Sequence, residues 1–171
     1  MDPVAQETAA CPQRRDARRI GNRRPTCWLT VAAVILALPA AAQTIVDGDT
    51  IKLKGTIYRL YGIDAAEKEQ VCTDGWAAGR AAIGHLRDLV QDHEVACEAV
   101  AKGRSGPPLA LCTVDGEDLG AAMVAAGMAW ASTRHSNDYV DEEAQANIDR
   151  LGVHDHDCAP AWVWRTRQRR R

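Results

Sequence analysis

Acidic side chains that can hold a divalent cation lie close together around an arginine in the 171-residue sequence. Asp47 and Asp49 are two residues apart, so on an extended strand they would share a face. Asp64 and Glu67 follow, with Arg59 before them. Clustered carboxylates need a hard cation or a shared proton, and oxygen ligands favour Ca²⁺ or Mg²⁺. A cation, a phosphate-binding arginine and a free glutamate can direct water at a phosphodiester; solvated turn acids are the alternative interpretation.

The residues around these acids predict two short strands joined at Gly55. Apolar and polar residues alternate over residues 51–54 and again over residues 57–61. Alternation on both sides of a glycine is typical of a tight hairpin of half-buried strands. The hairpin would return Asp64 towards the first acids, and Gly48 would let the backbone approach a ligand closely.

Three helices and a second hairpin are predicted beyond this point. Small and apolar residues recur at helical spacing over Trp76–Val90. A second helix is predicted over Asp118–Gly127, with an acidic start and a glycine stop. A third is predicted over Ser136–Leu151, with Ser136 as its N-cap. Together with five short strands, these helices indicate a closed Greek-key β-barrel with flanking helices, an α+β fold.

The first 42 residues have the layout of an export signal. Six arginines lie within residues 14–24, and an uncharged, mostly apolar run follows from Trp28 to Ala42. This layout, with its Pro-Ala-Ala-Ala end, is typical of a secretory signal peptide cleaved after Ala42, preceded by an N-terminal extension. A short membrane anchor is the alternative. Because no apolar run reaches about 20 residues, we expect no stable membrane span. From the predicted signal peptide we expect a periplasmic or secreted protein.

Export predicts an oxidising compartment, where the four cysteines left after cleavage allow three pairings. Cys97 and Cys112 lie on either side of a turn-rich segment, Lys102–Pro108, whose centre is midway between them. In a hairpin the two would face each other within bonding distance. That leaves Cys72 to pair with Cys158, with free buried thiols as the alternative.

The first hairpin and its acids resemble the staphylococcal nuclease (thermonuclease) family. The resemblance rests on Ile45-Val-Asp-Gly-Asp-Thr-Ile-Lys-Leu and Tyr58-Arg-Leu-Tyr-Gly-Ile-Asp-Ala-Ala-Glu67, and it covers most of residues 44–164. It implies a five-stranded oligonucleotide-binding (OB) fold and Ca²⁺-dependent hydrolysis of DNA or RNA. We expect a domain over residues 43–164, a basic tail over residues 165–171, nucleic acid as the partner, and a monomer.

The resemblance also implies the calcium ligands. By position, Asp49 and Asp64 would hold Ca²⁺ through their carboxylates, and Ala65 through its backbone carbonyl. Asp47 would lie in that ligand shell or just outside it. Ala66 stands where the family usually has a proline, a change that we expect to matter little.

The catalytic groups implied in the same way are Glu67, as the general base for water, and Arg59, which would bind phosphate and stabilise transition-state charge. The family's second catalytic arginine aligns with Pro107, which cannot donate a hydrogen bond. Arg104, three residues away, can replace it only if the loop folds back, and Arg134 is a further substrate-binding candidate. Since losing one positioned donor costs about 10²–10³ in rate, we expect a weakened nuclease.

Charge also predicts weak binding of nucleic acid. Residues 43–164 carry 20 acidic and 10 basic side chains, net −10, whereas residues 165–171 carry five arginines. Nucleic-acid affinity depends on cationic contacts, so this body repels phosphates; the tail arginines would attract them locally or stay solvated at a frayed end. Trp162 and Trp164 would pack the tail on the barrel or stack on bases.

The acidic body and Pro107 favour the alternative function, a non-catalytic binding module of the cell envelope. A purely structural envelope domain is the third candidate function.

Overall fold

The structure is a computed structural model that describes residues 43–103, 106–134 and 136–170. The signal peptide predicted for residues 1–42 and the candidate phosphate ligand Arg104 lie outside the described residues. Within those three stretches, no helix is both long enough and apolar enough to cross a lipid bilayer.

In the described residues, eight strands form two sheets. In chain order they are β1 (Gln43–Asp47), β2 (Thr50–Leu53), β3 (Thr56–Leu60), β4 (Ile63–Ala65), β5 (Val95–Ala101), β6 (Leu109–Val114), β7 (Glu117–Asp118) and β8 (Ala129–Ala131). The larger sheet has the order β1-β2-β3-β6-β5, with β7 added beside β6, and β4 pairs with β8 in the smaller sheet. Strands β3 and β6 run parallel, whereas the other pairs are antiparallel.

The closed barrel predicted from the sequence is wrong. Within the described strands β5 does not pair with β1, so the larger sheet stays open and mixed, with helices beside it. The start of β1 is bound instead by the end of the first helix: the Gln43 side-chain amide donates to the carbonyl oxygens of Val90, at 2.5 Å, and His93, at 2.9 Å. A helix end therefore contacts β1 where barrel closure would have placed a strand.

The predicted hairpin at Gly55 is confirmed. Lys54 and Gly55 have φ of 49° and 88°, the geometry of a two-residue turn whose twist matches that of the flanking strands. Ile51 on β2 and Leu60 on β3 are 0% and 2% exposed, so the two strands share one buried face. The hairpin thus has one side fixed in the core and leaves Arg59 on the other side.

Within the part of the chain that the structure describes, four helices accompany the sheets. They are α1 (Ala78–Val90), α2 (Leu119–Ala125), α3 (Val140–Ile148) and α4 (Ala161–Gln168), with a 3₁₀ turn at Gly152–His154. The first two follow the prediction, although α1 begins two residues later than expected. Helix α2 has the predicted acidic cap: Asp118 Oδ1 accepts from the backbone N–H of Gly120 at 2.7 Å and of Ala121 at 3.2 Å.

The start of the third helix was predicted four residues too early. Ser136 does not cap it; its hydroxyl accepts from the backbone N–H of Asp138 in a local turn, at 2.9 Å. Tyr139 is the residue before α3, it is 5% exposed, and its hydroxyl donates to Asp118 at 2.9 Å. This buried tyrosine, tied to the cap of α2, determines where the helix begins.

Both disulfides follow the predicted pairing. Cys97 and Cys112 are directly opposite on β5 and β6, with Cα atoms 4.1 Å apart. Cys72 and Cys158 have Cα atoms 4.5 Å apart and join residues 86 positions apart in the chain. The second bridge ties the loop before α1 to the segment that leads into α4.

Helix α4 was not predicted, and it is packed against the domain. Ala161 is fully buried in a small core cluster with Ala66 and Trp130. The ring of Trp162 meets Trp130 edge-on, with centroids 6.3 Å apart and planes at 74°. The expectation that Trp162 packs the tail back is therefore confirmed, whereas a frayed terminus from Arg165 onwards is not what forms, because the helix continues to Gln168.

Candidate active site

Two aspartates from separate segments meet on one guanidinium. Arg59, on β3, donates through Nη2 to Asp49 Oδ2 at 2.6 Å and to Asp64 Oδ1 at 3.2 Å. The two aspartates are 5% and 7% exposed, while the arginine side chain is 40% exposed. The structure therefore brings together three residues that the sequence proposed as a unit, with the acids inside and the arginine at the surface.

Asp49 is held by a turn, not by the extended strand assumed from the sequence. Strand β1 ends at Asp47 after an irregularity in its register, and residues 48–49 turn into β2. Asp49 Oδ1 accepts from the Thr50 hydroxyl at 2.7 Å, and its backbone carbonyl accepts from Leu60 N–H at 2.8 Å. The relative positions of Asp47 and Asp49 are therefore determined by the turn at residues 48–49 and not by the two-residue period of a strand.

Gly48 serves packing within the protein, and its approach to a ligand stays a prediction. A Cβ at this position would lie 2.8 Å from the side chain of Ala82 on α1 and 2.9 Å from that of Ala65 on β4. The glycine lets the acidic turn pack closely between these two elements. Ala65, a candidate calcium ligand, is 4% exposed and pairs with Ala129.

The acids of the turn repel one another. Burial raises the pKa of Asp49, and Arg59 and the Thr50 hydrogen bond oppose that rise. The pKa of Asp47 is raised too, first by burial and further by the negative charges of Asp49 and Glu67, against the hydrogen bond from its neighbour's N–H. A site with this balance gains from any additional cation.

Glu67 lies in the loop after β4, and Gln70 and α1 fix its backbone. Its N–H donates to Gln70 Oε1 at 3.3 Å, and its carbonyl accepts from Gln70 N–H at 2.7 Å. Gly79 on α1 packs so closely that a Cβ there would come within 1.9 Å of the Glu67 carbonyl oxygen. Only glycine fits at this contact, so α1 supports the backbone of the proposed base directly.

Arg165, on α4, enters the same site, and sequence reasoning missed it. Its Nη1 and Nη2 donate to the two carboxylate oxygens of Asp64 at 2.9 and 2.7 Å, and Nη1 also donates to Glu67 Oε1 at 2.6 Å. The hydrogen bond to Asp64 is the largest cause of a raised pKa for this guanidinium. The sequence places Arg165 in a basic tail that attracts phosphates locally or stays solvated, and it does not predict a contact with the acids. The nearest signal in the sequence is the tryptophan pair just before it.

The segment before α4 is joined to the loop that carries Glu67. Gln70, 1% exposed, donates through its side-chain amide to the carbonyl of Ala159 at 2.6 Å. The His156 ring stacks on Trp76, with centroids 4.2 Å apart, and its Nδ1 lies 2.6 Å from a carboxylate oxygen of Asp74. With the Cys72–Cys158 bridge, these contacts fix the position from which Arg165 reaches the acids.

A groove of about 600 Å³ opens beside the two arginines and Asp64. Arg59, Asp64 and Arg165 line one part of it, and two residues singled out from the sequence, Pro107 and Arg134, line another. Arg134 is exposed there. Arg59 and Arg134, the predicted substrate-binding residues within the described chain, thus lie on one concave surface with Asp64.

The donor set fits a hard divalent cation in kind. Asp49 and Asp64 offer buried carboxylate oxygens that already converge on a cationic group, and oxygen-only ligands suit Ca²⁺. In residues 43–103, 106–134 and 136–170, no three His, Cys, Asp or Glu side chains are gathered as a metal site. Both oxygens of Asp64 accept hydrogen bonds from Arg165, so a metal at Asp64 would share these oxygens with the guanidinium.

Comparison with known proteins identifies the family. Residues 57–155 match the sequence model of the family described as Staphylococcal nuclease homologue. A protein of Escherichia coli O157:H7 named as an uncharacterized endonuclease is 32% identical over 132 residues, which are 72% of this chain and 82% of that protein. A Haemophilus influenzae protein of the same name is 33% identical over 114 residues, 64% of this chain and 61% of its own. The chain belongs to the staphylococcal nuclease family.

Proposed function

We propose that this protein is an exported, Ca²⁺-dependent endonuclease that hydrolyses phosphodiester bonds of DNA or RNA. The observation that carries the proposal is the convergence of Asp49, Asp64 and Arg59, with Glu67 linked to Asp64 through Arg165. Its family membership and the naming of its relatives as endonucleases support nuclease chemistry and cutting within the nucleic-acid strand. The acidic body favours weak binding of nucleic acid, as the charge count predicts.

Each residue has a defined part in the proposed reaction. Glu67 accepts a proton from water, whose oxygen bonds to phosphorus as the ester bond breaks and its electron pair leaves on the departing oxygen. Arg59, partly exposed on the groove, donates to the phosphate oxygens as their charge grows. Asp49 and Asp64 would hold Ca²⁺, with Asp47 and the Ala65 carbonyl as the further candidate ligands. When bound there, the ion would polarise the phosphate and lower the pKa of the attacking water.

The second candidate function is a non-catalytic binding module of the cell envelope. Two observations favour it: the net charge of −10 over residues 43–164, and the guanidinium of Arg165 on Glu67. In this case the acids and Arg165 would form a permanent ionic cluster. The wild-type protein and every variant in that cluster would then fail to cleave nucleic acid.

One assay separates the two functions. Purified protein is incubated with denatured DNA, with and without Ca²⁺, beside Glu67→Gln and the exposed control Glu94→Gln. The nuclease proposal predicts Ca²⁺-dependent cleavage that falls about 10²–10⁴-fold in Glu67→Gln and persists in the control. Cleavage absent from the wild type at high protein concentration, or equal in both variants, would reject it.

Export is proposed on the basic and apolar N-terminal layout, and the two disulfides support it because such bridges persist in oxidising compartments. The protein recovered from cells should begin at Gln43 and lie outside the cytoplasm. Recovery of an intact N-terminus from the cytoplasm, with four free thiols in the region after Gln43, would contradict this part.

A further inference from the structure

We propose that Arg165 is the second phosphate-binding arginine of this site, provided by α4 in place of the residue at position 107. The inference rests on the proposed phosphodiesterase function. It assigns a catalytic contact to the C-terminal helix, within the segment that the sequence predicted as a basic tail. It names Arg165, where the sequence offered Arg104 and Arg134, as the second cation.

The first support is the position of Arg165 relative to Arg59. Both guanidiniums bind the same atom, Asp64 Oδ1, at 2.9 and 3.2 Å. Two groups that share one oxygen atom are close enough to contact the oxygens of a single phosphate. Two arginines on one phosphate are the arrangement that stabilises charge spread over several oxygens in the transition state.

The second support is the availability of donors. A guanidinium has five N–H groups, and the contacts of Arg165 with Asp64 and Glu67 use three. Its side chain is 31% exposed and lies on the wall of the groove. The acids therefore fix the orientation of the group while part of it faces the space that a phosphate would enter.

The third support is the geometry around Pro107. The Arg59 backbone N–H donates to the carbonyl of Pro108 at 3.0 Å, so the loop at 107 runs directly beside the first arginine. A proline there has no donor group, yet Pro107, Arg59 and Arg165 line one groove. Arg165 therefore provides this groove with the positive charge that the side chain of Pro107 cannot provide. Arg134 lies on the same groove, whereas Arg59 and Arg165 are the guanidiniums that hydrogen bonds hold on Asp64 in the described part of the chain.

The contact between Arg165 and Glu67 adds a consequence for the order of events. Glu67 Oε1 accepts a hydrogen bond from Arg165 Nη1. A phosphate in the groove is a competing acceptor for the same guanidinium. When the phosphate takes this donor, Glu67 Oε1 is free to contact the attacking water, so phosphate binding at Arg165 and release of the glutamate oxygen are coupled.

The test uses the full protein and four variants. Arg165→Met removes the charge, Arg165→Lys keeps it without the two-pronged geometry, and exposed Arg167→Met on the same helix is the matched control. The double variant Pro107→Arg/Arg165→Met restores a guanidinium at the other wall. Two quantities are measured: kcat and KM on denatured DNA, and the Kd of inorganic phosphate by calorimetry without added metal.

We expect Arg165→Met to lower kcat about 10²–10³-fold and weaken phosphate binding at least several-fold. Arg165→Lys should be intermediate, Arg167→Met near wild type in kcat, and the double variant partly restored. A higher kcat in Arg165→Met would mean that α4 blocks the site and would overturn the proposal, as would an unchanged phosphate Kd. If wild type does not cleave at all, the phosphodiesterase function fails, and the phosphate titration still decides whether Arg165 binds the anion.

Discussion

The acidic hairpin region, residues 47–67, and the C-terminal segment, residues 156–165, reach the same site by different routes. Arg59 binds acids 10 and 5 positions away in sequence, through a turn and two short strands. Arg165 binds an acid 101 positions away, from a helix that depends on a disulfide, a buried glutamine and a ring stack. Locally determined geometry places the acids and one cation, whereas long-range links bring in the other.

The largest effect should come from breaking the local region at Arg59. Arg59→Met removes a phosphate donor and leaves Asp49 buried without its partner, so kcat should fall about 10³-fold or more. The free energy of unfolding should fall by about 2 kcal/mol, less than for a fully buried pair because Arg59 is 40% exposed. Steady-state kinetics and urea unfolding measure the two effects. Exposed Arg80→Met on α1 is the control, and a variant at Arg59 no worse than this control would contradict the assignment.

The two disulfides provide a matched pair for the long-range links. Cys72→Ser/Cys158→Ser should lower the free energy of unfolding by about 4 kcal/mol, and Cys97→Ser/Cys112→Ser by about 3 kcal/mol, from the loops of 86 and 15 residues that they close. Only the first should also lower kcat of the folded protein, about 10²-fold, because it releases the segment that carries Arg165. Equal kinetic losses in both would show that the bridges act through stability alone.

A smaller effect is expected where the two regions touch, at Gln70. Gln70→Leu removes the donor to the Ala159 carbonyl and the acceptor of the Glu67 N–H, both in a buried setting. Stability should fall by about 1–3 kcal/mol, with less than about a tenfold loss of kcat, because the disulfide still holds the segment. The matched control is Gln145→Leu, at an exposed position of α3, which loses only a surface hydrogen bond to Asp149. Its free energy of unfolding should remain within about 0.5 kcal/mol of wild type. If Gln70→Leu lowers the free energy of unfolding no more than Gln145→Leu does, the hydrogen bonds of Gln70 do not hold the two regions together.

What the sequence could predict follows the same division. The hairpin at Gly55, the acidic cap at Asp118 and the Cys97–Cys112 pair are determined by neighbouring residues or a simple strand register, and each is confirmed. The approach of Asp64 to Asp49 was expected from the return of the hairpin, and both acids bind Arg59. The extended segment assumed for Asp47 and Asp49 does not form, because residues 48–49 are a turn.

The parts that sequence reasoning missed depend on long-range packing. The open sheet has the end of α1 at the start of β1, and α3 begins where Tyr139 is buried against Asp118. Helix α4 has little apolar periodicity of its own, and its position comes from Ala161 and Trp162 packing on a distant cluster. The predicted Cys72–Cys158 bridge alone did not place Arg165, because the helix that carries it is positioned by the contacts of Ala161 and Trp162.

The most direct test of the central claim, that the C-terminal segment acts on the site by presenting Arg165, is a double-mutant cycle on kcat. The cycle combines Arg165→Met with Cys72→Ser/Cys158→Ser under conditions where all variants are folded, as checked by circular dichroism. We predict that Arg165→Met adds little once the bridge is gone, because both changes remove the same guanidinium from the phosphate. Losses that multiply in full would show that bridge and arginine act independently, and would contradict the account.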